Sequence, residues 1–371
     1  MAEPIKNAYG ANLAESLGAR IQRVYPAFPV EAFVQQVAAQ VGPLELKERV
    51  AVITQALRQH LPPDYADALA ILTDEIVLGP ELVDESKMYN EGYGLLPVAT
   101  FVEFFGLEHF DESMQAAHAI TRRFSAEFTI RPFLAFEPER TLDVLHGWIE
   151  DPNPHVRRLV SEGTRPRLPW ASYLQTFISD PAPVLALLEK LRGDPSEYVR
   201  RSVANNLNDI AKDHPDLVMA TLEHWQADTT VDVAWITRRA LRSLVKQGNP
   251  RALALLGYHP AQVTLDDLRI APDVITLGES FELSFTLTSA ASEPQNLMID
   301  FVVHFVRSKG KTSEKVFKLK TATLAPGETL AVSKRHPIKP ITVRRYYAGV
   351  HVVDVQVNGA RLGSTSFTLE M

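Results

Sequence analysis

The sequence predicts a mainly α-helical protein that ends in an all-β domain. We expect a HEAT-like α-solenoid over residues 1–260 and a C-terminal immunoglobulin-like sandwich over residues 265–371. An arginine pair recurs in the middle of the chain at steps of 36, 43 and 37 residues, a period typical of two-helix solenoid repeats. Short β-branched and aromatic runs between turn residues fill the chain after residue 266. The 371 residues also exceed the size at which a single core usually stops growing.

The first 112 residues show apolar positions at helical spacing between breaks marked by proline or glycine. The predicted helices are Ala11–Tyr25, Val30–Ala39, Glu45–Gln59, Asp64–Thr73 and Leu96–Phe105. Between Gly79 and Gly94 the sequence is irregular and acidic, so we expect a loop or a lid over a neighbouring surface.

From Glu112 onward, each repeat places two arginines inside a helix, just after a β-branched core residue. These segments are Ile120–Arg123, Val156–Arg158, Val199–Arg201 and Ile236–Arg239, and their expected partner helices are Glu139–Ile149, Val184–Leu191 and Asp216–Trp225. Stacked helices would align the pairs along one wall of a concave groove. A single pair is also typical of a solvated helix face, so it is the fourfold recurrence that favours the groove.

The segment Asp194–Asp213 contains the clearest helix start. Asp194 is expected to cap the helix, Pro195 suits the first helical position and Glu197 completes a capping box. An apolar stripe follows at helical spacing, made of Val199, Val203, Leu207 and Ile210. The other face carries arginine, asparagine and the carboxylate Asp209, which suits a face that holds a ligand.

Seven short runs predict the strands of the sandwich. They are Val274–Leu277, Phe281–Thr288, Asn296–Val306, Lys315–Leu319, Thr329–Lys334, Tyr347–Val357 and Ser364–Leu369. Arg307–Lys311 is predicted to be a hairpin tip, and Lys339–Arg345 leads into a tyrosine pair. Both basic segments suit contact with phosphates or with a nucleic-acid groove, although charged turns that maintain solubility have the same composition.

The net charge of -7 is unevenly distributed. Residues 1–112 hold 7 Lys and Arg against 17 Asp and Glu, residues 113–264 hold 18 against 17, and residues 265–371 hold 13 against 11. Nucleic-acid binding requires a local basic patch and not a basic protein. The last two thirds of the chain are therefore free to present arginines to a phosphate backbone.

Several kinds of site are excluded or disfavoured. The absence of cysteine excludes disulfides, thiolate metal sites and a cysteine nucleophile. The 11 histidines lack ligand spacing, and the sequence contains no glycine-rich phosphate loop, nucleophile elbow or zinc-protease motif, so we expect no metal and no cofactor. Without an apolar run of eighteen residues or a signal peptide, the chain is expected to be cytoplasmic with no membrane partner.

Carboxylates near arginines remain as candidates for chemistry. Glu162 lies four residues after Arg158, and Gly163 and two prolines end the helix there. The helix dipole disfavours a negative charge at that end, which favours a functional role over a surface ion pair.

Three further residues are weaker candidates when each is considered alone. Asp209 reads as an ordinary polar residue of its helix. Glu127 would simply pair with Arg123 or Arg131. Trp170 would usually be a core residue, but a tryptophan beside a turn near a carboxylate also suits a cationic ring.

Four segments resemble one family. They are ITRRFSAEFTIRPF (120–133), SEGTRPRLPW (161–170), YVRRSVANNLND (198–209) and RRYYAGVH (344–351). Together they resemble the bacterial AlkC-type DNA glycosylases of the HEAT-like-repeat alkylation-repair superfamily, and SEGTRPRLPW is the most specific. The resemblance covers nearly the whole chain, including the C-terminal Ig-like domain that distinguishes this branch from AlkD-type relatives.

The resemblance implies excision of cationic N3-alkylated bases, 3-methyladenine and 3-methylcytosine, from duplex DNA without conventional base flipping. It also implies that Glu127, Glu162 and Asp209 are the catalytic carboxylates and that Trp170 contacts the lesion. The expected DNA contacts are Arg122, Arg123, Arg157, Arg158, Arg165, Arg200, Arg201, Arg238, Arg239, Arg242, Lys309, Lys311, Arg344 and Arg345. We expect a nucleoid-associated monomer.

Two other hypotheses remain open from the residues. A non-enzymatic HEAT-repeat scaffold would use the same arginine-lined groove to bind DNA or a protein, but would not need Glu162 at an unfavourable helix end. A metal-dependent hydrolase is a third possibility, which inhibition by a chelator would support.

Overall fold

The computed structural model describes residues 4–82, 84–342 and 344–371. Contacts divide the chain into two compact units. One unit runs to His214 and adds Trp225–Ala240, and the other comprises Pro215–His224 and Leu241–Met371. The domain boundary between residues 260 and 265 stays a prediction.

Short helices with apolar stripes build the first two thirds of the chain. They are α1 Ala11–Val24, α2 Val30–Val41, α3 Leu46–His60, α4 Tyr65–Thr73, α5 Glu75–Leu78, α6 Met88–Glu91, α7 Leu96–Phe105, α8 Phe110–Thr121, α9 Arg131–Phe136, α10 Pro138–Trp148, α11 Pro154–Gly163, α12 Gln175–Ser179, α13 Ala182–Leu191, α14 Glu197–Ile210, α15 Pro215–Ala227, α16 Ala234–Ala240, α17 Arg242–Lys246 and α18 Pro250–Leu255. The five helices expected before residue 113 are all present, with ends that differ by at most two residues. The helical spacing was sufficient to predict them because one face of each is buried, as with Leu13, Leu17 and Ile21 of α1.

The acidic segment between Gly79 and Gly94 is mostly irregular, as expected, but it contains the single turn α6. The Leu82 N–H donates to the carbonyl of Arg122 over 3.0 Å. The Glu85 carboxylate accepts a hydrogen bond of 2.5 Å from Ser196 Oγ at the start of α14. The described part of this segment therefore covers the ends of neighbouring helices.

The helices α11 and α14 pack side by side and form the centre of the repeat region. The predicted stripe of α14 is buried at Val199, Val203, Leu207 and Ile210. Polar residues on the same helix are buried too, since Asn206 and Asp209 are also almost fully covered. The polar face that the sequence predicts to hold a ligand is therefore partly an interior surface.

Two local expectations about the repeats are wrong. Helix α14 begins at Glu197 with Ser196 as its cap, because the Asp194 carboxylate accepts from the Ser196 N–H and binds Arg157. Glu197 therefore pairs with Arg201 and does not close a capping box. Helix α8 ends at Thr121, so the first arginine pair lies just after a helix and not inside one.

The β-domain is a sandwich of two sheets. Its strands are β1 Val263–Ala271, β2 Val274–Thr276, β3 Ser280–Ser289, β4 Gln295–Val306, β5 Thr312–Leu324, β6 Thr329–Pro337, β7 Gly349–Val357 and β8 Ala360–Glu370. One sheet has the order β1-β3-β6 and the other β2-β8-β7-β4-β5. All pairs are antiparallel except β2 with β8.

The seven expected strands are present, and β1 is an additional strand. Half-buried and exposed residues alternate along it, but the alternation slips at Asp266 and Asp267, where the register with β3 shifts, and none of its residues is fully buried. This interruption weakens the strand signal of its sequence. The core between the sheets is formed mainly by phenylalanine and aliphatic residues, among them Phe281, Phe301, Phe305 and Phe367. Packing of these rings stabilises the sandwich without disulfides.

Two glycines in the second unit approach each other closely. Gly248 and Gly359 both have positive φ, at 73° and 83°, and a Cβ on Gly359 would lie 2.7 Å from the Gly248 carbonyl oxygen. Gly310 has a similar φ of 71° but open space around it. Gly359 therefore requires glycine both for its positive φ and for lack of space, whereas Gly310 requires it for its positive φ alone.

We predict that Gly359→Ala lowers the thermal unfolding midpoint of the second unit much more than Gly310→Ala does. Gly310→Ala loses only the left-handed preference of glycine, about 1 kcal/mol, whereas Gly359→Ala adds a backbone clash of about 1–3 kcal/mol. Differential scanning calorimetry of both variants measures the difference. Equal shifts would contradict the close approach.

Candidate active site

Three carboxylates that are far apart in sequence lie in one cluster. Glu127 belongs to the loop between α8 and α9, and Glu162 and Asp209 each occupy the last-but-one position of a helix, α11 and α14 respectively. Because α11 and α14 pack side by side, their carboxyl-terminal ends are neighbours. The repeat architecture thus brings together residues 35 and 47 positions apart.

Two buried arginines connect the carboxylates. One guanidinium nitrogen of Arg158 lies 2.7 Å from Glu127 Oε2, and another lies 3.4 Å from Glu162 Oε1. Arg165 contacts the same Glu162 oxygen at 2.7 Å and Asp209 Oδ2 at 2.8 Å. Negative and positive side chains therefore alternate in the order Glu127, Arg158, Glu162, Arg165 and Asp209. Each of these five side chains is at least 88% buried.

Neighbouring side chains stabilise the Glu162 and Asp209 carboxylates at the ends of their helices. A carboxylate at a helix carboxyl terminus is disfavoured by the dipole, and burial adds a desolvation cost. Ser202 Oγ donates to Glu162 Oε2 over 2.6 Å, and Lys212 Nζ lies 2.8 Å from Asp209 Oδ1. With Lys212 included, the positive and negative charges of the cluster are equal in number.

The ionisation states follow from this geometry. Burial would raise the pKa of the Glu162 carboxyl, but the charges of Arg158 and Arg165 and the Ser202 hydrogen bond outweigh it and hold that pKa below its ordinary value. Burial would likewise lower the pKa of Arg165, and Glu162 and Asp209 raise it above its ordinary value. Both groups are therefore charged at neutral pH.

Glu127 presents an open oxygen. Its Oε2 receives Arg158 and the hydroxyl of Ser125, the latter at 2.9 Å. Within the described residues its Oε1 accepts no hydrogen bond, and the side chain is 12% exposed. The expectation that Glu127 pairs with Arg123 or Arg131 is wrong, because its ion-pair partner is Arg158. Arg123 binds the carbonyls of Gly79 and Ala119, and Arg131 binds those of Gly163, Arg165 and Ser172.

Trp170 is on a turn at the surface. The Ala171 N–H donates to the Leu168 carbonyl over 3.2 Å, which closes a four-residue turn with Pro169 second and Trp170 third. Trp170 has a φ of 66°, the conformation that a type II turn requires at its third residue and that glycine normally supplies. Its side chain is not a core residue, since the residue is 74% exposed.

Arg131 was missed as a site residue by sequence reasoning. One of its terminal nitrogens donates to the carbonyls of Gly163 and Arg165, both at 2.9 Å, and the other donates to Ser172 at 2.5 Å. Burial and the nearby charge of Arg165 lower the pKa of Arg131 to about 10, so it still carries its charge at neutral pH. Its only sequence signal is the arginine in IRPF, which matches no general motif.

Ser202 and Lys47 were missed as well. Ser202 is a small residue within a helix, and its role depends on the neighbouring helix that carries Glu162. Lys47 is an exposed residue of α3, and its ammonium group donates to the backbone carbonyl of Trp170. Neither residue has a sequence context that distinguishes it from ordinary helix residues.

The paired arginines have two kinds of environment. Arg157 contacts Asp194 at 2.6 Å and donates to the carbonyl of Asp151, and Arg200 donates to the carbonyls of Asp194 and Pro195. Together with Arg123, Arg158 and Arg165, these side chains are committed to partners within the protein. Their assignment as phosphate contacts is therefore not supported by their positions.

The remaining basic candidates are more accessible. Arg201 and Arg238 are exposed, Arg122 pairs with Glu81 at 2.9 Å, and Arg239 lies 5.5 Å from the Trp235 ring. Arg242 is half-buried.

In the β-domain, the hairpin between β4 and β5 exposes Lys309 and Lys311. Arg344 lies 3.9 Å from the Phe305 ring, and Arg345 is exposed beside Tyr347. The expected hairpin tip at Arg307–Lys311 is therefore confirmed.

Comparison with known proteins identifies the relatives of this chain. The family described as "DNA alkylation repair enzyme" matches residues 121–244, and "Uncharacterised protein YhaZ, C-terminal Ig-like domain" matches residues 264–371. The uncharacterized protein YhaZ of Bacillus subtilis (strain 168) is 38% identical over 365 residues, which cover 98% of each chain. The alkylpurine DNA glycosylase AlkC of Pseudomonas fluorescens, solved bound to DNA containing an abasic site analog, is 40% identical, with complete coverage of both chains and a TM-score of 0.91.

The chain belongs to the AlkC-type family of DNA alkylation repair proteins. The fold prediction, a helical repeat region followed by an Ig-like domain, is confirmed. The repair-family match at residues 121–244 contains Glu127, Glu162, Trp170 and Asp209. DNA alkylation repair is thus the general function of this AlkC-type chain. Among its described residues, no helix has the length and apolar character of a membrane span.

We predict that Trp170→Gly is more stable than Trp170→Ala by about 1 kcal/mol. An alanine at this position keeps the left-handed strain of an L residue, and glycine removes it. The exposed indole contributes little burial, so both variants lose a similar packing energy. Thermal unfolding of the two proteins measures the difference, and a more stable alanine variant would argue against the strained turn.

A second prediction concerns acid stability. The depressed pKa of Glu162 stabilises the fold fully above the ordinary glutamate pKa, and this contribution is lost as the pH falls through the depressed value. Ser202→Ala removes one cause of the depression, so it should cost about 1.5 kcal/mol at neutral pH and progressively less in acid. The unfolding midpoint measured across pH checks this.

Ser113→Ala is the matched control for this experiment. The Ser113 hydroxyl bonds to the carbonyl of Gly106, a neutral partner, so its cost should not depend on pH in the same range. A cost of Ser202→Ala that stays constant through the acid range in which Glu162 takes up its proton in the folded protein would contradict the interpretation.

Proposed function

We propose that this chain is a monofunctional DNA glycosylase that hydrolyses the N-glycosidic bond of cationic N3-alkylated bases in duplex DNA. The substrates are 3-methyladenine and 3-methylcytosine, and the product enters base excision repair. The observation that carries the proposal is the cluster of Glu127, Glu162 and Asp209, assembled by two buried arginines in one helical unit with Trp170. The Pseudomonas relative, an alkylpurine DNA glycosylase, supports it.

The lesion is itself a good leaving group, so the protein does not need to supply a strong general acid. Alkylation at N3 gives the base a positive charge, so it leaves as a neutral molecule when the bond between the base nitrogen and C1′ breaks with both electrons going to the base. Positive charge then develops on the sugar. Water forms the new bond to C1′ and gives up a proton, to a carboxylate or to solvent.

Ionised carboxylates that are held in place are suited to this reaction. Preorganised charge aimed at the developing cation lowers the barrier without reorganisation during the step. Glu162 has a depressed pKa, so at neutral pH it acts as an anion and not as a proton donor. Glu127 offers the accessible oxygen, which suits contact with the deoxyribose or with the attacking water.

Trp170 is the proposed contact for the damaged base. An aromatic face attracts a cation by about 0.5–2 kcal/mol, and a neutral base gains much less. An indole that is already exposed can reach a base without a deep pocket, in keeping with excision without conventional flipping. This route restricts the enzyme to labile, cationic lesions.

The proposed DNA contacts divide by accessibility. The exposed residues Arg201, Arg238, Lys309, Lys311 and Arg345 are available to phosphates, as are Arg122, Arg239, Arg242 and Arg344 if they leave their present contacts. We assign Arg158 and Arg165 to the positioning of carboxylates. Substitution of a phosphate contact would weaken binding uniformly and reduce its salt dependence.

The test compares Glu162→Gln and Asp209→Asn with the parental protein. Each isosteric change removes one charge from the cluster, and we expect the single-turnover rate of 3-methyladenine release to fall by about 10²–10³-fold. Duplex affinity, measured by fluorescence anisotropy, should change little. Glu197→Gln on the same α14 helix is the control, because it removes an exposed carboxylate that pairs with Arg201, outside the cluster.

Two outcomes would contradict the proposal. Parental rates in both site variants would refute the assignment of the carboxylates. A parental protein that binds DNA but releases no base from methylated duplex would favour a non-enzymatic HEAT-repeat scaffold.

A further inference from the structure

The turn that carries Trp170 has a backbone conformation that its own sequence does not favour. Its third residue has a left-handed backbone that a bulky side chain disfavours, and the indole is too exposed to offset this by burial. A strained conformation persists only where the surroundings determine it. Within the loop, the Ala171 N–H donates to the Leu168 carbonyl and the Leu174 N–H donates to the Pro166 carbonyl. Contacts from other elements add to these two hydrogen bonds.

We infer that Arg131 and Lys47 are positioning residues that hold Trp170 in one orientation before DNA binds. This inference rests on the proposed function, in which Trp170 contacts the cationic base. Arg131 is the first residue of α9, and Lys47 is in the first turn of α3. Within the described structure, neither residue forms a hydrogen bond or an ion pair with Glu127, Glu162 or Asp209, and Arg131 reaches the cluster through the backbone carbonyl of Arg165.

Arg131 fixes the chain on both sides of Trp170. Its fork donates to the carbonyls of Gly163 and Arg165 before the turn and to Ser172 after it. The side chain is buried, and the planar guanidinium matches three carbonyls that a lysine ammonium would not reach together. The segment from residue 163 to residue 172 is thereby closed into a loop with a fixed base.

Lys47 acts on the tryptophan itself. Its ammonium group donates to the Trp170 carbonyl, which fixes the orientation of the peptide that follows the indole. The same group lies 5.5 Å from the centre of the Phe128 ring, so the ammonium contacts both this ring and the Trp170 carbonyl. Lys47 has the same charge as the lesion, so a direct contact with the cationic base would be repulsive. Any favourable effect of Lys47 on catalysis is therefore expected to act through the position of Trp170.

The first experiment reads the conformation directly and does not depend on activity. The chain contains four tryptophans, so 5-fluorotryptophan labelling gives a small set of ¹⁹F resonances, and Trp170→Phe identifies the one from Trp170. We expect that resonance to be narrow in the parental protein. In Lys47→Met and in Arg131→Lys it should broaden or move toward its position in the denatured protein.

Lys190→Met is the control, since it removes an exposed lysine from α13 and should leave the Trp170 resonance unchanged. An unchanged resonance in both Lys47→Met and Arg131→Lys would overturn the inference. If Arg131→Lys does not fold, Lys47→Met decides alone, because an exposed lysine is dispensable for the fold.

The second experiment is a double-mutant cycle on 3-methyladenine release. Lys47→Met should reduce the single-turnover rate by about three- to tenfold, within the loss caused by Trp170→Ala. In the Trp170→Ala background, Lys47→Met should cause no further loss, because the residue through which it acts is absent. Independent, multiplicative losses would overturn the inference.

A third readout separates positioning from phosphate binding. If Lys47 held a phosphate, Lys47→Met would weaken the binding of undamaged duplex and lower its salt dependence, with the Trp170 resonance unmoved. That result would overturn the inference. If the parental protein releases no base at all, the glycosylase proposal fails, and the ¹⁹F comparison alone still decides whether these residues position Trp170.

Discussion

The two buried guanidinium groups of Arg158 and Arg165 are the interaction on which the candidate site depends. Each bridges two carboxylates, and Glu162 lies between them. Without these cations, three buried carboxylates would repel one another, take up protons and lose their charge. Removing one partner of such a buried pair typically costs about 3–5 kcal/mol, because the other charge is left unpaired. The same arginines that make burial of the carboxylates tolerable therefore also maintain the anions that the proposed reaction requires.

The repeat architecture explains why these groups meet. Helices α11 and α14 are stacked copies of one motif, and each ends with a carboxylate one residue before its last position. The arginines at the starts of these helices, Arg157 and Arg200, fold back on the turns that precede them. The recurrence of arginine pairs is thus partly a structural property of the repeat, and only the more accessible members remain candidates for phosphate contact.

Much of the fold was predictable because it depends on local periodicity. Helical stripes such as Val199, Val203 and Leu207, and the apolar runs of the sandwich, are buried as their spacing predicts. Glu162 was a candidate from its position at a helix end, whereas Glu127, Asp209 and Trp170 became strong candidates only through resemblance to a family. The partner of Glu127, the hydrogen bond from Ser202 and the three carbonyls on Arg131 depend on contacts between helices, which periodicity does not encode. The left-handed Trp170 was hidden for a related reason, since LPWA offers proline for the turn but no glycine.

The carboxylate cluster and the Trp170 turn share one property, because arginine holds groups in intrinsically unfavourable positions in both. A binding site for a transient cation must hold its groups in positions that they would not choose alone, with anions buried near helix ends and an aromatic residue exposed on a strained backbone. In both places, arginine supplies several fixed donors from one rigid group, to carboxylates in one case and to backbone carbonyls in the other. Because a guanidinium keeps its charge even when its pKa is lowered by burial, as for Arg131, the arrangement is stable over the whole physiological pH range.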